Sequence, residues 1–540
     1  MIGFSSPLMF GLALGVSLIN TGLLLLMSLR LLQAFQQCTY RPRQFLRWIF
    51  DGRARLFVRL GSLSIISFGL IAVKNVLFYV HLDNLYFPII GFVLYVGLGG
   101  VLVYDGFRQR AKVPLRWTPR VVRLVVVTAI VSFAFTFLFV WLGAAIIPWG
   151  WMGFAFVSVT PLLLPDFILK AHLLLFPVEA AIRQKFIRRA KKKLNSSQFE
   201  NLVRIGITGS YGKTSVKNIL AKMLEKKFVT AVSPASFNTP MGFAKTVNDV
   251  LQPEVEVLIF EMGLRYTRDI AYLCKLFKPQ HGILTSIGTA HIETMGSQDA
   301  IKHEKSQLVH ALPQDGIAVL NGASPLCEEV FEELKLERKF LTGLEDAKSI
   351  SVTAEGCEFE LFGIKCRTKL LGRHNIENIA MCARLAYELG VTPEQIAEAV
   401  GELEPTPHRL QLISADNGVI ILDDSYNATA QGTQAALEVF GLFAAATRRV
   451  VQTPGIVELG KHAYETNFNY GQAIAAVATD VIVVNQANRE ALIAGLSAGK
   501  FDASRIHVVN SLQEAIALYP IILSAGDVLL LANDLPDLFS

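Results

Sequence analysis

The stretch GITGSYGKTS (206–215) carries the chain's clearest chemistry. It follows VRIGIT (203–208), which has strand character, and opens KTSVKNILAKMLEKK (213–227), which has helical spacing. A strand, a glycine-rich turn and a helix start form a phosphate cradle. Glycines let backbone N–H groups approach phosphate oxygens, the helix N-terminus adds partial positive charge, and a lysine neutralises the outer phosphates. Gly209, Ser210, Tyr211 and Gly212 supply the loop, Lys213 the charge, and Thr214 or Ser215 a hydroxyl for Mg²⁺. The spacing is GxxGxxGKT, which departs from a strict GxxxxGK[ST].

Other residues gain meaning from position. Glu261 ends the apolar run VEVLIFEMG (255–263), where open α/β sheets place their ligands. A carboxylate there suits Mg²⁺, and a merely solvated strand-end glutamate has the same pattern. His291 follows the run HGILTSIG (281–288) and on its own reads as a loop histidine or a ligand. A helix predicted over 298–312 puts Ile301, Lys305, Leu308 and Leu312 on one face. A lysine in an apolar stripe is costly unless paired, neutral or snorkelling to water. Asn375 and Asn378 share a face at a helix start, as ordinary polar residues or as amides reading an adenine edge.

These residues need a scaffold. Beyond Asn195, short apolar runs alternate with amphipathic helices, which indicates a parallel sheet covered on both faces. A second α/β run begins near Arg409 and includes VIILDD (419–424), RRVVQTPG (448–455), DVIVVN (480–485), RIHVV (505–509) and DVLLLAND (527–534). Pro405 and Pro407 mark the boundary. The expected fold is a membrane α-helical N-terminal region (1–180), a basic linker (181–198), a P-loop-type central α/β domain with a mostly parallel sheet (199–405) and a C-terminal Rossmann-like α/β domain (406–540). The six cysteines contain no CxxC pair and read as reduced residues, with Cys357 and Cys366 in strands.

The loop variant resembles that of the Mur ligase family, the ATP-dependent amide-forming enzymes of cell-wall precursor synthesis. The resemblance continues through SFNTPMG (236–242), EMG (261–263), SIGTAHIETMGS (286–297), GRHNIENIAMCARLA (372–386), HRLQ (408–411) and DDSYNATA (423–430), and is closest to the D-alanyl-D-alanine-adding type. It implies Glu261 and His291 as metal ligands and Lys305 as a carbamylated lysine holding a second Mg²⁺. It also implies Asn375 and Asn378 against adenine, and Arg409 and Asp424 reaching ATP when the C-terminal domain closes. The implied catalytic set is Lys213, Lys305 and His291. In the implied reaction a carboxylate becomes an acyl phosphate at the expense of ATP, and an amine then displaces phosphate.

The chain also departs from that pattern. Tyr211 stands where Asn is usual, NATA replaces Asn-Ala-Asn-Pro, and TPGIVELGKHAYETNF (453–468) lacks the GDM that precedes Glu-Leu-Gly. The last region contributes to recognising the incoming amine, so an amino acid or a dipeptide other than D-alanyl-D-alanine is an open possibility. The domain that holds the uridine nucleotide is missing, and apolar stretches at 8–32, 57–80, 86–104, 121–147 and 151–177 occupy its place. The fifth contains Asp166 and Lys170 at i,i+4, as a kinked or re-entrant helix or as a polar notch for a headgroup.

Charge orients these stretches. Of the chain's net +6, the first 193 residues contribute +17 (22 Lys/Arg, 5 Asp/Glu), leaving −11 for the rest. Lys and Arg concentrate in alternate loops and in RQKFIRRAKKK (183–193), which predicts an outside N-terminus and a cytoplasmic catalytic part at the inner membrane. An acidic soluble part excludes nucleic acid as a partner. The expected function is a membrane-anchored ligase acting on a lipid-linked or membrane-presented carboxylate. Alternatives are a poly-γ-glutamate synthase-like polymerase, conventional addition to a UDP-muramyl peptide, a transporter driven by a P-loop ATPase, and a non-catalytic nucleotide-binding scaffold. The oligomeric state has no signature.

Overall fold

A computed structural model describes residues 7–50, 86–108, 113–146, 157–235, 237–426, 429–457 and 459–533, and the chain divides into two units at Ile182/Arg183.

The first unit is helical. Among the described residues three stretches are long and apolar enough to cross a membrane: Phe10–Gln37, Pro119–Leu142 and Val157–Leu194, the last running on into the second unit. The span expected at 57–80 lies outside the described residues, and the one expected at 86–104 falls on the helix Tyr86–Arg108. Of the fifth, 151–156 lie outside the described residues; from Val157 it is helical, tightens into a 3₁₀ turn at Thr160–Leu163 and continues as the helix Leu164–Leu194. Pro161 and Pro165 occupy first-turn positions, where no backbone N–H is needed. Asp166 and Lys170 pair at 2.6 Å, which lowers the cost of both charges on this helix. Asn20 is fully buried and joins three other elements. Its amide donates to Thr136 and Thr160, each at 3.1 Å, and it accepts from Tyr95 at 3.0 Å. Without water to compete, such bonds hold apolar helices together.

The second unit contains two large sheets. The first has the order β2 (Thr230–Val232), β3 (Val257–Glu261), β1 (Val203–Thr208), β4 (His281–Leu284), β5 (Ile317–Asn321), β6 (Arg338–Thr342), all parallel. Strand alternation divides its residues between two cores. Val257, Ile259, Ile317 and Val319 pack with the helices Lys213–Leu224 and Arg373–Glu388. Leu258, Phe260, Ala318 and Leu320 pack with Asp269–Phe277 and Gln298–His310. Ile187, Ala190 and Leu194, from the end of the Leu164–Leu194 helix, are buried in the latter core.

The second large sheet has the order β10 (Gln411–Ser414), β11 (Ile420–Asp424), β15 (Val528–Ala532), β12 (Arg449–Thr453), β13 (Asp480–Val484), β14 (Ile506–Val509), with only β10 antiparallel. An antiparallel three-stranded sheet, β7 (Lys348–Thr353), β8 (Gly356–Leu361) and β9 (Ile364–Thr368), was not anticipated as a sheet. Cys357 and Cys366 do lie in its strands, and all six cysteines are free and buried.

Candidate active site

β1 delivers the glycine loop at the carboxyl edge of the first sheet. Gly212 takes φ +79° immediately before the helix Lys213–Leu224, a conformation open to glycine at little cost. The loop is pinned from the segment that follows β4. Ser210 N–H donates to the Ser286 carbonyl at 2.9 Å, and Tyr211 N–H to the Ser286 hydroxyl at 3.0 Å. Lys213 curls back onto the Gly209 carbonyl at 2.8 Å. Burial pushes its amine below the ordinary lysine value, Glu261 opposes that shift and Arg409 adds to it. Ser215 stands half-buried in the first turn of the same helix.

Glu261, buried at the end of β3, accepts from Thr214 Oγ1 at 2.9 Å and from Asn238 Nδ2 at 3.1 Å. Gly263 makes this approach possible, since a Cβ there would lie 2.6 Å from the Asn238 amide carbon. Lys217 had no place in the sequence reading. It is buried, donates to the Ser233 carbonyl at 2.7 Å and to that of Ala235, and lies 3.9 Å from Glu261 Oε2. Its signal was the fourth-residue spacing from Lys213, which returns a second lysine to the same face of the helix one turn on.

Lys305 is buried on the face shared with Ile301 and Leu308, as spacing predicted. It does not snorkel. Its amine reaches inward to Ser210 Oγ at 2.6 Å, and burial together with Lys213 holds it well below the ordinary lysine value. The neighbouring Glu304 has a separate task, accepting from the backbone N–H groups of Arg268 and Ile270 at 2.8 and 3.0 Å. His291 sits at φ +68°, with its imidazole pushed down to about 4 by burial and by Lys213, Lys305 and Arg265. The ring is neutral at physiological pH, the form that binds metal.

Asn375 spends its amide on the Leu371 carbonyl at 2.8 Å. Asn378 Oδ1 faces Gly212, 3.1 Å from where a Cβ would stand, so this helix start closes over the loop. From the C-terminal domain, Arg409 reaches Thr214 Oγ1 at 3.4 Å. Asp424 accepts from Leu410 N–H at 3.2 Å, and burial pushes its carboxyl up to about 7.

The structure thus brings Lys213, Thr214, Glu261 and Arg409 together, with Ser210 and Lys305 on the other side of the loop. Among the described residues no three His, Cys, Asp or Glu side chains cluster as a metal site. The donor set that exists, Thr214 hydroxyl and Glu261 carboxylate, is hard oxygen, which fits Mg²⁺ completed by phosphate oxygens and water.

A family model described as "Mur ligase middle domain" matches residues 207–386, and one described as "Mur ligase, glutamate ligase domain" matches residues 408–533. The chain is 28% identical over 262 residues to a UDP-N-acetylmuramoyl-tripeptide–D-alanyl-D-alanine ligase of Bacillus subtilis, covering 47% of this chain and 56% of that protein. The enzyme of the same name from Escherichia coli is 28% identical over 323 residues, covering 58% of this chain and 71% of that one. The crystal structure of MurF ligase from Thermotoga maritima in complex with ADP superposes with a TM-score of 0.56 at 25% identity, covering 65% of this chain and 80% of that one. The chain therefore spans little more than half the length of the Bacillus relative. Two domain models in order, together matching more than half of the chain, and a shared fold of sheets and connecting helices place it: the chain belongs to the Mur ligase family.

Proposed function

We propose that the chain is an ATP- and Mg²⁺-dependent amide ligase of cell-envelope precursor synthesis. Its first-unit helices hold it in the cytoplasmic membrane, N-terminus outside, with both Mur domains in the cytoplasm. The observation that supports the reaction most directly is the meeting of three elements on one loop. The glycine turn and Lys213 offer phosphate ligands, Thr214 and Glu261 offer oxygen to a metal, and Arg409 comes from the other domain. Mg²⁺ bound there would neutralise phosphate charge.

The residues of this chain do positioning and charge work, which is most of what phosphoryl transfer asks of a protein. Lys213 and the loop N–H groups orient the γ-phosphate toward a substrate carboxylate. Arg409 adds charge from above, and closure of its domain excludes water from the acyl phosphate. The amine then attacks the acyl carbon and phosphate leaves. Asn378 contributes to the nucleotide end of the cleft. Lys305, buried and with its amine held well below the ordinary lysine value, favours the form that reacts with CO₂, and a carbamate there would supply a second carboxylate-like ligand near His291.

The matched relatives bear names that specify UDP-N-acetylmuramoyl-tripeptide and D-alanyl-D-alanine. For this chain we favour a carboxylate presented at the membrane, because apolar helices precede β1 and membrane attachment raises the effective concentration of a lipid-linked substrate. The test uses full-length protein in native-lipid nanodiscs with ATP, Mg²⁺, bicarbonate and a panel of amino acids and dipeptides. Amine-dependent phosphate release with a lipid species heavier by one amine minus water supports both parts. Turnover only with UDP-linked muramyl peptide keeps the ligase and overturns the lipid substrate. ATP binding without amide product under either condition overturns the ligase.

A further inference from the structure

The last turns of the helix Leu164–Leu194 have two faces. Ile187, Ala190 and Leu194 are buried in the core of the second unit, and Lys193 donates to the Leu251 carbonyl at 2.6 Å. The same turns expose Arg183, Lys185, Arg188, Arg189, Lys191 and Lys192: Arg183 stands one turn before Ile187 in line with the buried stripe, the other five lie on the rest of the helix surface, and none of the six has an ion-pair partner among the described residues.

Ordinary helix electrostatics accounts for only part of this. Lys191 and Lys192 complement the negative end of the helix dipole, whose influence fades beyond the last turn. Arg183, Lys185, Arg188 and Arg189 lie further back. Lys185 with Arg189, and Arg188 with Lys192, are like charges at i,i+4, which destabilise a helix. Carboxylates are not scarce either: residues 194–540 carry a net −11, leaving the +6 chain basic only through its first 193 residues. A fold rich in acid nevertheless keeps six cations on these last turns without an ion pair among the described residues. Along the same helix the preceding turns expose Leu173, Leu174 and Phe176, and Val157–Leu194 is apolar enough in part to cross a membrane.

We propose that this cationic face is a docking surface for the phosphate headgroups of anionic phospholipids. Charge complementarity carries the assignment, and the surface potential of an anionic leaflet acts on cations within about a Debye length, roughly 10 Å at 0.1 M salt. The inference does not depend on the ligase reaction.

The experiment is native mass spectrometry of the full-length protein released from mixed phosphatidylglycerol–phosphatidylcholine nanodiscs. Two variants are compared with the wild type: all six cations changed to Gln, and R183K/R188K/R189K. The wild type should retain phosphatidylglycerol in preference to phosphatidylcholine, increasingly so at low salt. The Gln variant should lose about tenfold of that preference, while the Lys variant keeps it, because a headgroup surface reads charge more than guanidinium geometry. An unchanged melting temperature for the Gln variant excludes unfolding. Equal preference in wild type and Gln variant, or retention of nucleic acid or an acidic protein with no lipid preference, would overturn the proposal.

Discussion

Arg409 extends from the C-terminal domain to the hydroxyl of Thr214 on the nucleotide loop, 3.4 Å away, with its guanidinium 4.8 Å from the centre of the Tyr426 ring. The residue before it fixes the turn. His408 holds φ +62°, and its Nδ1 lies 2.7 Å from Asp423 Oδ2, while Ser425 donates to the other carboxylate oxygen at 2.6 Å. Two adjacent pairs, His408 with Asp423 and Arg409 with Thr214, thus tie β11 to the loop of the other domain.

Replacing Arg409 with Ala should lower kcat/KM for ATP by about a hundredfold, in the range for loss of one preorganised charged donor at a phosphoryl-transfer site. H408A should give a smaller loss, about tenfold, because the arginine remains and only its turn is loosened. Steady-state phosphate release measures both. Equal effects of the two substitutions would mean that His408 does more than hold the turn.

Lys217 is a second position where structure adds to the sequence. Its amine links the Ser233 and Ala235 carbonyls to the vicinity of Glu261, and so sets the segment that carries Asn238. K217M leaves those carbonyls and one buried carboxylate without their cation. Half-saturation by Mg²⁺ should rise about tenfold, the size expected for an outer-sphere change at a metal site. A magnesium titration of ATP turnover reads this directly, and an unchanged midpoint with a lowered melting temperature would assign Lys217 to folding alone.

Much of this site was legible because backbone chemistry demands particular residues. The loop needed glycines and a lysine, and the alternating apolar strands needed helices on both faces, so β1, β3 and β4 and the loop that β1 delivers fell where patterning put them. Lys305 was half legible: spacing placed it on a buried stripe, but its bond to Ser210 depends on packing across 95 residues of chain. Lys217 was hidden for the same reason, since its partners lie on a loop with no periodicity. The β7–β9 sheet escaped because β7 (KSISVT) and β9 (IKCRT) are polar and partly exposed, and the three strands pair antiparallel outside the α/β rhythm around them.

The proposed carbamylation of Lys305 predicts a dependence on dissolved CO₂. A buried amine held below its ordinary value by desolvation and by Lys213 is neutral more of the time and open to carbamylation. Activity measured in CO₂-depleted buffer should fall and return on adding bicarbonate. ¹³C-bicarbonate should give a carbamate resonance that is absent in K305A. Full activity without bicarbonate, together with no such resonance, would leave Lys305 as a plain amine on Ser210.

Asp424 predicts how stability changes with pH. Burial raises its folded-state value to about 7, above the usual carboxylate value of 3.8. The folded protein therefore holds a proton that the unfolded chain has already released between these values, and the proton-linkage slope is negative there. The contribution is fully present below about pH 4 and is lost as pH rises through about 7. D424N keeps the neutral shape and cannot ionise, so its melting temperature should exceed that of the wild type at pH 8 and approach it at pH 5. ATP makes a second prediction on the same residue. If nucleotide draws Arg409 away from Asp424, the carboxyl loses a neighbour that favours its charged form, and binding at pH 7 should take up protons. Calorimetry in two buffers of different ionisation enthalpy measures that uptake, and proton release on binding would show instead that the closed site stabilises the Asp424 carboxylate.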